Sequence, residues 1–218
     1  MKTNIITGHY GSGKTEFALN LAMNLKKEGK KVSICDLDIV NPYFRTNDAR
    51  KILEENDIKV ISSQYANTNV DIPVLPGEVL SVFADKERYK IFDVGGDDDG
   101  AIALGTYFQY ISKEPYEMYF VVNTLRPMTS TKEEIVEMAR NIEWASRLKI
   151  TAIVNNTNLQ NLTKKEDLIK SVSIVDEAAK ELNVNVKYIS GKKEILDNLP
   201  EELKEKRFNL DIYLKMPF

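Results

Sequence analysis

Residues 8–15 read GHYGSGKT and directly follow the short apolar run IIT at residues 5–7. This matches the Walker A pattern, G-x-x-x-x-G-K-[ST], between a strand and a helix, which is the context in which that pattern binds phosphate. The glycines let successive backbone N–H groups turn toward phosphate oxygens, and the following helix adds its positive N-terminal end. The residues expected to bind a nucleotide here are Gly8, Gly11, Ser12, Gly13, Lys14, Thr15 and Glu16.

Two side chains of this stretch carry the predicted chemistry. Lys14 should reach the β- and γ-phosphates and take part in catalysis, and the Thr15 hydroxyl should hold Mg²⁺. The alternative is a glycine-rich turn that only links a strand to a helix. The correct flanks on both sides favour nucleotide binding.

Carboxylates follow two further predicted strands, at the end of a parallel sheet where open α/β proteins bind their ligands. The strand at residues 31–35 runs into DLDIVNP, which begins at Asp36, and the strand at residues 89–92 ends at Asp93. Asp93 is the Walker B candidate that binds Mg²⁺ through water, and the alternative is a carboxylate that caps the next turn. An acidic turn, VGGDDDG, then occupies residues 94–100, and its Asp98 and Asp99 are better explained as the solvated start of the next helix.

Short β-like runs alternate with amphipathic helical stretches along the whole chain. This pattern predicts an α/β fold: a P-loop NTPase three-layer α/β/α sandwich with a mostly parallel sheet of about seven or eight strands. We expect residues 1–218 to form a single nucleotide-binding domain. Residues 64–76 show no clear hydrophobic period. They could form a lid or a partner-binding loop, or they could be an extended segment on the surface. The predicted strands are 4–7, 31–35, 59–62, 89–92, 117–122, 150–154 and 184–189, and the predicted helices are 15–27, 47–55, 78–86, 101–112, 130–147 and 165–182.

Composition restricts the class of partner. The 30 basic and 33 acidic residues give a net charge of −3, which argues against a general electrostatic hold on nucleic acid or anionic lipid. The single cysteine, Cys35, cannot form a disulfide or a cysteine-built metal cage within one chain, and it is expected to fill the core. The first residues do not resemble a secretory signal, and no apolar stretch reaches the roughly 20 residues that span a bilayer. We therefore expect a soluble, cytoplasmic protein.

The order of these motifs resembles the MinD/ParA/nitrogenase-iron-protein group of P-loop proteins, of the CobQ/CobB/MinD/ParA nucleotide-binding domain family, across about residues 1–190. Walker A is followed by a D-x-D loop, a D-x-G-G turn and an asparagine after a late strand. The loop at residues 36–42 is similar to that of Mrp-type iron–sulfur carriers. Residues 93–97 resemble the second switch of the nitrogenase iron protein.

The resemblance implies roles for several polar residues. Asp38 or Asp97 would position or deprotonate the attacking water, and Asp36 and Asp38 would hold the loop or the water shell of Mg²⁺. Asn155 matches the asparagine that reads adenine, with Asn156 as the second choice, although either could simply cap a turn. No guanine-reading N-K-x-D motif is present, so adenine is favoured.

Arginine residues could also supply charge to this site. Arg126 and Arg45 could lie near phosphate or a partner, but an exposed arginine is usually a solvated surface group.

Two positions depart from the family pattern. His9 stands where the group has a signature lysine that reaches the partner's phosphates across a nucleotide-sandwich dimer, and imidazole is shorter and only partly charged. Gly100 stands where the nitrogenase iron protein has a cluster ligand, and no C-x-x-C occurs. A homodimer is implied by the resemblance but weakened by His9, and no iron–sulfur cluster is expected.

The sequence therefore predicts a Mg²⁺-dependent ATP-binding protein, a slow ATPase switch that alternates between ATP and ADP and acts on a protein partner or client enzyme. One alternative is a small-molecule kinase or ATP-dependent synthase of the dethiobiotin-synthetase type. The other is a subunit that senses ATP without hydrolysing it.

Overall fold

The computed structural model describes residues 2–37, 46–62 and 77–214. Within these ranges strands and helices alternate along the chain. The strands are β1 (Thr3–Thr7), β2 (Val32–Asp36), β3 (Ile58–Ser62), β4 (Tyr89–Asp93), β5 (Tyr116–Val122), β6 (Ala152–Asn155), β7 (Asn185–Gly191) and β8 (Arg207–Asn209). The helices are α1 (Lys14–Lys27), α2 (Thr46–Glu55), α3 (Gly77–Ala84), α4 (Asp97–Thr106), α5 (Phe108–Ile111), α6 (Lys132–Ser146), α7 (Lys165–Leu182) and α8 (Lys193–Leu196).

The eight strands form one sheet in the order β3-β2-β4-β1-β5-β6-β7-β8. Every neighbouring pair is parallel, so all carboxyl ends of the strands meet at one edge. β1 lies between β4 and β5, and the phosphate-loop sequence therefore leaves the sheet near its middle. The predicted α/β sandwich with a parallel sheet is confirmed.

Buried apolar side chains cover both faces of the sheet. Ile5 of β1 packs into the cluster that includes residues of α4 and α6, whereas the next residue, Ile6, packs into the cluster formed with α1. Successive residues of a strand point to opposite faces, so a strand that is buried on both faces is apolar at consecutive positions. This explains why β1 carries two consecutive isoleucines, Ile5 and Ile6, and not an alternating pattern.

The helix predicted at residues 101–112 was wrong at its start and in its continuity. α4 begins at Asp97, so the three aspartates occupy its first turn, where negative charge is favourable. The helical stretch breaks at Tyr107, between α4 and α5. Gly105 and Thr106 are weak helix formers, and the Thr106 hydroxyl donates to the Ala103 carbonyl at 2.7 Å, a local bond that favours a helix end.

Other boundaries differ less. α7 has the predicted bounds, and Thr131 caps α6 by accepting from the Glu134 N–H at 3.2 Å. Ser190 and Gly191 follow the strand predicted at residues 184–189 but lie in β7, and β8 is a strand that the pattern did not predict. The segment at 64–76 lies outside the described residues. No helix in the described ranges is both long and apolar enough to cross a bilayer.

Gly105→Ala should destabilise the fold. A Cβ at Gly105 would lie 2.8 Å from the Ala145 carbonyl oxygen, so α4 would have to move away from α6. We expect a loss of about 1–3 kcal/mol in the free energy of unfolding, measured with denaturant, although alanine is the better helix former. Gly77→Ala is the control because its added methyl group meets nothing within 4 Å. Equal stability of the two variants would contradict close packing at Gly105.

Candidate nucleotide-binding site

The turn from β1 into α1 depends on three glycines. Gly8, Gly11 and Gly13 have φ angles of +146°, +74° and +87°, which L side chains rarely adopt. A Cβ at Gly8 would also clash with the carbonyl oxygen of Val121 in β5. Glycine therefore allows the loop to curl and to lie directly on the neighbouring strand.

The N-terminus of α1 opens toward the space enclosed by this loop. Gly13, its N-cap residue, has no side chain to accept from the first-turn N–H groups, which also have no helical carbonyl to donate to. The Ser12 hydroxyl is buried and has no hydrogen-bond partner among the described residues. The N–H groups of the first helical turn and the positive end of the helix together make a binding site for an anion.

Lys14 lies between the loop and the turn that follows β4. Its Nζ donates to the His9 carbonyl at 3.0 Å. A Cβ built on Gly96 would lie 3.2 Å from this Nζ and 2.8 Å from the backbone nitrogen of Tyr10. The Gly95–Gly96 turn is therefore in contact with the phosphate loop, and this approach requires glycine at position 96.

Two of the predicted Mg²⁺ ligands are paired by the sheet register. Asp36 ends β2 and Asp93 ends β4, and their Cα atoms are direct partners. Neighbouring strands are about 4.8 Å apart, so the two carboxylates leave the sheet side by side at its carboxyl edge. The Leu37 N–H donates to the Asp93 carbonyl at 2.8 Å, which ties the start of the next loop to β4.

Thr15, Asp36 and Asp93 suit Mg²⁺ chemically because they offer hard oxygen ligands beside an anion site. Among the described residues no group of three or more His, Cys, Asp or Glu forms a metal cage, but Mg²⁺ typically binds one or two carboxylates together with phosphate and water. Asp38 lies outside the described residues, as does the side chain of Asp97, whose backbone begins α4. Their catalytic roles stay predictions.

Cys35 precedes Asp36 in β2 and is buried in the core, as predicted. Burial raises the pKa of its thiol far above the ordinary range, and the negative charge of Asp36 adds to the effect. The thiol is therefore expected to stay protonated at neutral pH, as suits a side chain that fills the core.

Asn156 joins the phosphate loop to β7. Its Nδ2 donates to the Ser12 carbonyl at 2.7 Å, and its Oδ1 accepts from the Ser190 hydroxyl at 2.8 Å. A Cβ at Gly13 would clash with the same Nδ2. The side chain is buried, so Asn156 holds the loop from behind. Sequence reasoning named it only as a second choice for adenine and missed this role.

Asn155 is also buried at the end of β6. Its Nδ2 donates to the Ser171 hydroxyl at 2.8 Å, and its Oδ1 accepts from the Thr157 N–H at 3.2 Å. Both ends of the amide thus bond within the chain. That Asn155 reads adenine stays a prediction.

Glu16 and Asn20 of α1 hold the segment 211–214 against the helix. The Glu16 carboxylate accepts from the N–H groups of Tyr213 at 2.6 Å and Leu214 at 3.4 Å. The Asn20 amide exchanges two hydrogen bonds of 2.8 and 2.9 Å with the backbone of Asp211. The nucleotide contact of Glu16 stays a prediction, and its partners in this segment had no signal in the sequence.

Asn156→Ala should destabilise the protein by about 1–3 kcal/mol because two buried groups, the Ser12 carbonyl and the Ser190 hydroxyl, lose their partner. Denaturant unfolding measures this change. Asn161→Ala is the control because that side chain is exposed, and we expect a change below about 0.5 kcal/mol. A similar small loss for both variants would show that Asn156 does not hold the loop.

Glu16→Ala should release the segment 211–214. Without the carboxylate, the amide hydrogens of Tyr213 and Leu214 should exchange about tenfold faster or more. Glu16→Gln keeps one acceptor oxygen and should have a smaller effect. The amides of β7 serve as an internal control, and faster exchange there as well would indicate general destabilisation and not release of the segment.

Comparison with solved structures finds the same fold at low sequence identity. FtsY from Thermotoga maritima has a TM-score of 0.57 and 20% identity over 88% of this chain and 62% of that one. FtsY from Elizabethkingia anophelis in complex with GDP has a TM-score of 0.55 and 18% identity over 88% of this chain and 58% of that one. The nucleotide-binding protein from Archaeoglobus fulgidus in complex with ADP has a TM-score of 0.57 and 17% identity, over 89% of this chain and 84% of that one. This chain spans about 60% of the length of the FtsY chains.

Comparison with curated protein sequences gives no significant match. The CbiA family, described as the CobQ/CobB/MinD/ParA nucleotide binding domain, matches residues 5–200. This match runs from β1 to the end of the loop after α8 and includes the phosphate loop, Asp36, Asp93 and both asparagines. The chain therefore belongs to the CobQ/CobB/MinD/ParA nucleotide-binding domain family of P-loop proteins.

Proposed function

We propose that this protein binds ATP with Mg²⁺ and hydrolyses it slowly, as a switch that acts on a protein partner. The observation that supports this proposal is the position of the phosphate loop. Its Lys14 and Thr15 lie at the start of α1, next to the edge where the register pairs Asp36 with Asp93. Phosphoryl transfer needs this combination of cation, metal ligands and backbone donors around one anion site.

ATP is proposed over GTP because of the residues that follow β6. Residues 155–163 read NNTNLQNLT and contain no carboxylate. Guanine presents N–H donors at N1 and N2, which a carboxylate accepts well because it has only acceptors. An asparagine amide has a donor and an acceptor, which suits adenine. Similar folds occur with ADP and with GDP, so the fold alone does not choose the base.

The roles proposed for Lys14, Thr15, Asp36 and Asp93 are supported by their positions around the loop. Lys14 binds the β- and γ-phosphates, and Thr15, Asp36 and Asp93 hold Mg²⁺, which would neutralise phosphate charge when bound. Asp38 and Asp97 are proposed to orient the attacking water. They belong to the segments that follow β2 and β4 and so start at the same edge of the sheet.

The contact between Gly96 and the phosphate loop supports the switch. A γ-phosphate held by Lys14 must fit beside the Gly95–Gly96 turn, and α4 begins at the next residue, Asp97. A shift of the turn would therefore move α4, whose Ile102 side chain is 55% exposed. We propose that the partner, either a client protein or a second copy of the chain, reads this movement, and that residues 1–218 act as one cytoplasmic nucleotide-binding domain.

The test measures ATP, ADP and GTP binding by calorimetry with and without Mg²⁺, and phosphate release with candidate partners present. We expect micromolar or tighter ATP binding that requires Mg²⁺, weaker GTP binding, and slow phosphate release. Lys14→Ala should weaken ATP binding about 10–100-fold because charge-assisted hydrogen bonds to phosphate are lost. Lys170→Ala, at an exposed position on α7, is the control and should bind as the wild type does.

Three results would contradict the proposal. No ATP binding would remove its basis, and tight binding of intact ATP with partners present would indicate a sensing subunit. Phosphate transfer to a metabolite, detected by mass spectrometry in a metabolite mixture, would indicate a kinase or synthase.

A further inference from the structure

A second cation, Arg126, lies against the phosphate loop. A Cβ built on Gly11 would lie 3.4 Å from Nε and 3.6 Å from Cζ of Arg126, so the guanidinium packs on the Cα of that glycine. Lys14 approaches the loop at a different point, next to Gly96. The loop is therefore contacted by two cations, and one of them comes from the segment after β5.

The segment that carries Arg126 is fixed by buried hydrogen bonds. The Asn123 Nδ2 donates to the Asn158 carbonyl at 3.0 Å, and its Oδ1 accepts from the Leu125 N–H at 3.0 Å. The Thr124 N–H donates to the Thr157 hydroxyl at 3.1 Å. The Arg126 N–H closes a turn on the Asn123 carbonyl at 3.1 Å. The backbone at Arg126 thus has a defined position, set by the same tract that holds the phosphate loop.

Arg126 differs from the other arginines that the structure describes. Its guanidinium has no hydrogen bond or ion pair with a described residue. Each of the others donates to a carboxylate or a carbonyl: Arg50 to Glu54, Arg88 to Asp85, Arg140 to Glu181, Arg147 to Gly105 and Arg207 to Leu199. An unpaired guanidinium on a fixed segment beside an anion site is suited to bind the anion itself, because its planar donors match phosphate oxygens.

We propose that Arg126 binds the phosphate chain of the nucleotide from within the same chain. This inference rests on the proposed nucleotide binding. The guanidinium of Arg126 holds several N–H donors in a rigid planar fork, whereas the imidazole of the half-buried His9 at the start of the loop has no such fork. Gly11 is favoured at this point by its φ of +74°, and a Cβ there would be in van der Waals contact with the guanidinium. The loop after β5 is thereby part of the binding site, and its arginine adds to the charge that Lys14 supplies.

The test compares Arg126→Gln and Arg126→Lys with the wild type by calorimetry with ADP and ATP in the presence of Mg²⁺. Arg126→Gln should weaken both nucleotides about tenfold or more, and Arg126→Lys should weaken them less because the charge remains. Because Arg126 is exposed, both variants should unfold at the wild-type denaturant concentration. Arg140→Gln is the matched control, since it removes an exposed arginine of α6 that pairs with Glu181.

A second measurement uses the wild-type protein alone. Phenylglyoxal modifies accessible guanidinium groups, and ADP should protect Arg126 but not Arg140 when the peptides are quantified by mass spectrometry. The inference requires both results. A dissociation constant of Arg126→Gln within twofold of the wild type, or modification of Arg126 at the same rate with ADP, would overturn it while leaving nucleotide binding intact. If the wild type binds neither nucleotide, the proposed function fails as well.

Discussion

The hydrogen bond from the Asn156 amide to the Ser12 carbonyl is the contact on which the rest of the site depends. The same side chain accepts from Ser190 at the end of β7, and its backbone N–H donates to the Val122 carbonyl at the end of β5. One buried residue therefore connects the phosphate loop with two strand ends. A buried amide that lost one of these partners would leave unsatisfied polar groups, which keeps the loop in one position.

Three glycines at this site allow close contacts because they have no side chain. At Gly8, Gly13 and Gly96 a Cβ would overlap Val121, Asn156 and Tyr10, respectively. The loop thus touches β5 and the turn after β4 through backbone atoms, and it touches the residue after β6 through the hydrogen-bonded Asn156 side chain. At the two backbone contacts, movement of one segment cannot be absorbed by a change of rotamer and must be passed to the next. These contacts give the site a stiffness that suits the proposed switch.

The fold and the phosphate loop could be predicted from the sequence because both depend on local patterns. These are apolar runs of strand length, helical periods and the spacing of the glycines. The sequence did not predict contacts between residues that are far apart in the chain. Asn156 and Ser12 are 144 positions apart, and Glu16 meets Tyr213 at a separation of 197. β8 has three residues, too few for a period to be recognised. The break at Tyr107 follows the weak helix formers Gly105 and Thr106, but helix propensity alone is too weak a signal to place a helix end.

The strand order also determines when the site can form. β1 precedes β4 and β5 in the chain, yet these two strands are its neighbours in the sheet, and Asn156 follows β6. A chain that is still emerging from the ribosome has its Walker A residues exposed long before the strands that support them exist. Contacts of such high sequence separation form late in folding. The phosphate loop is thus completed only after the chain has been made as far as Asn156, so chains truncated before that residue should carry the motif without its support.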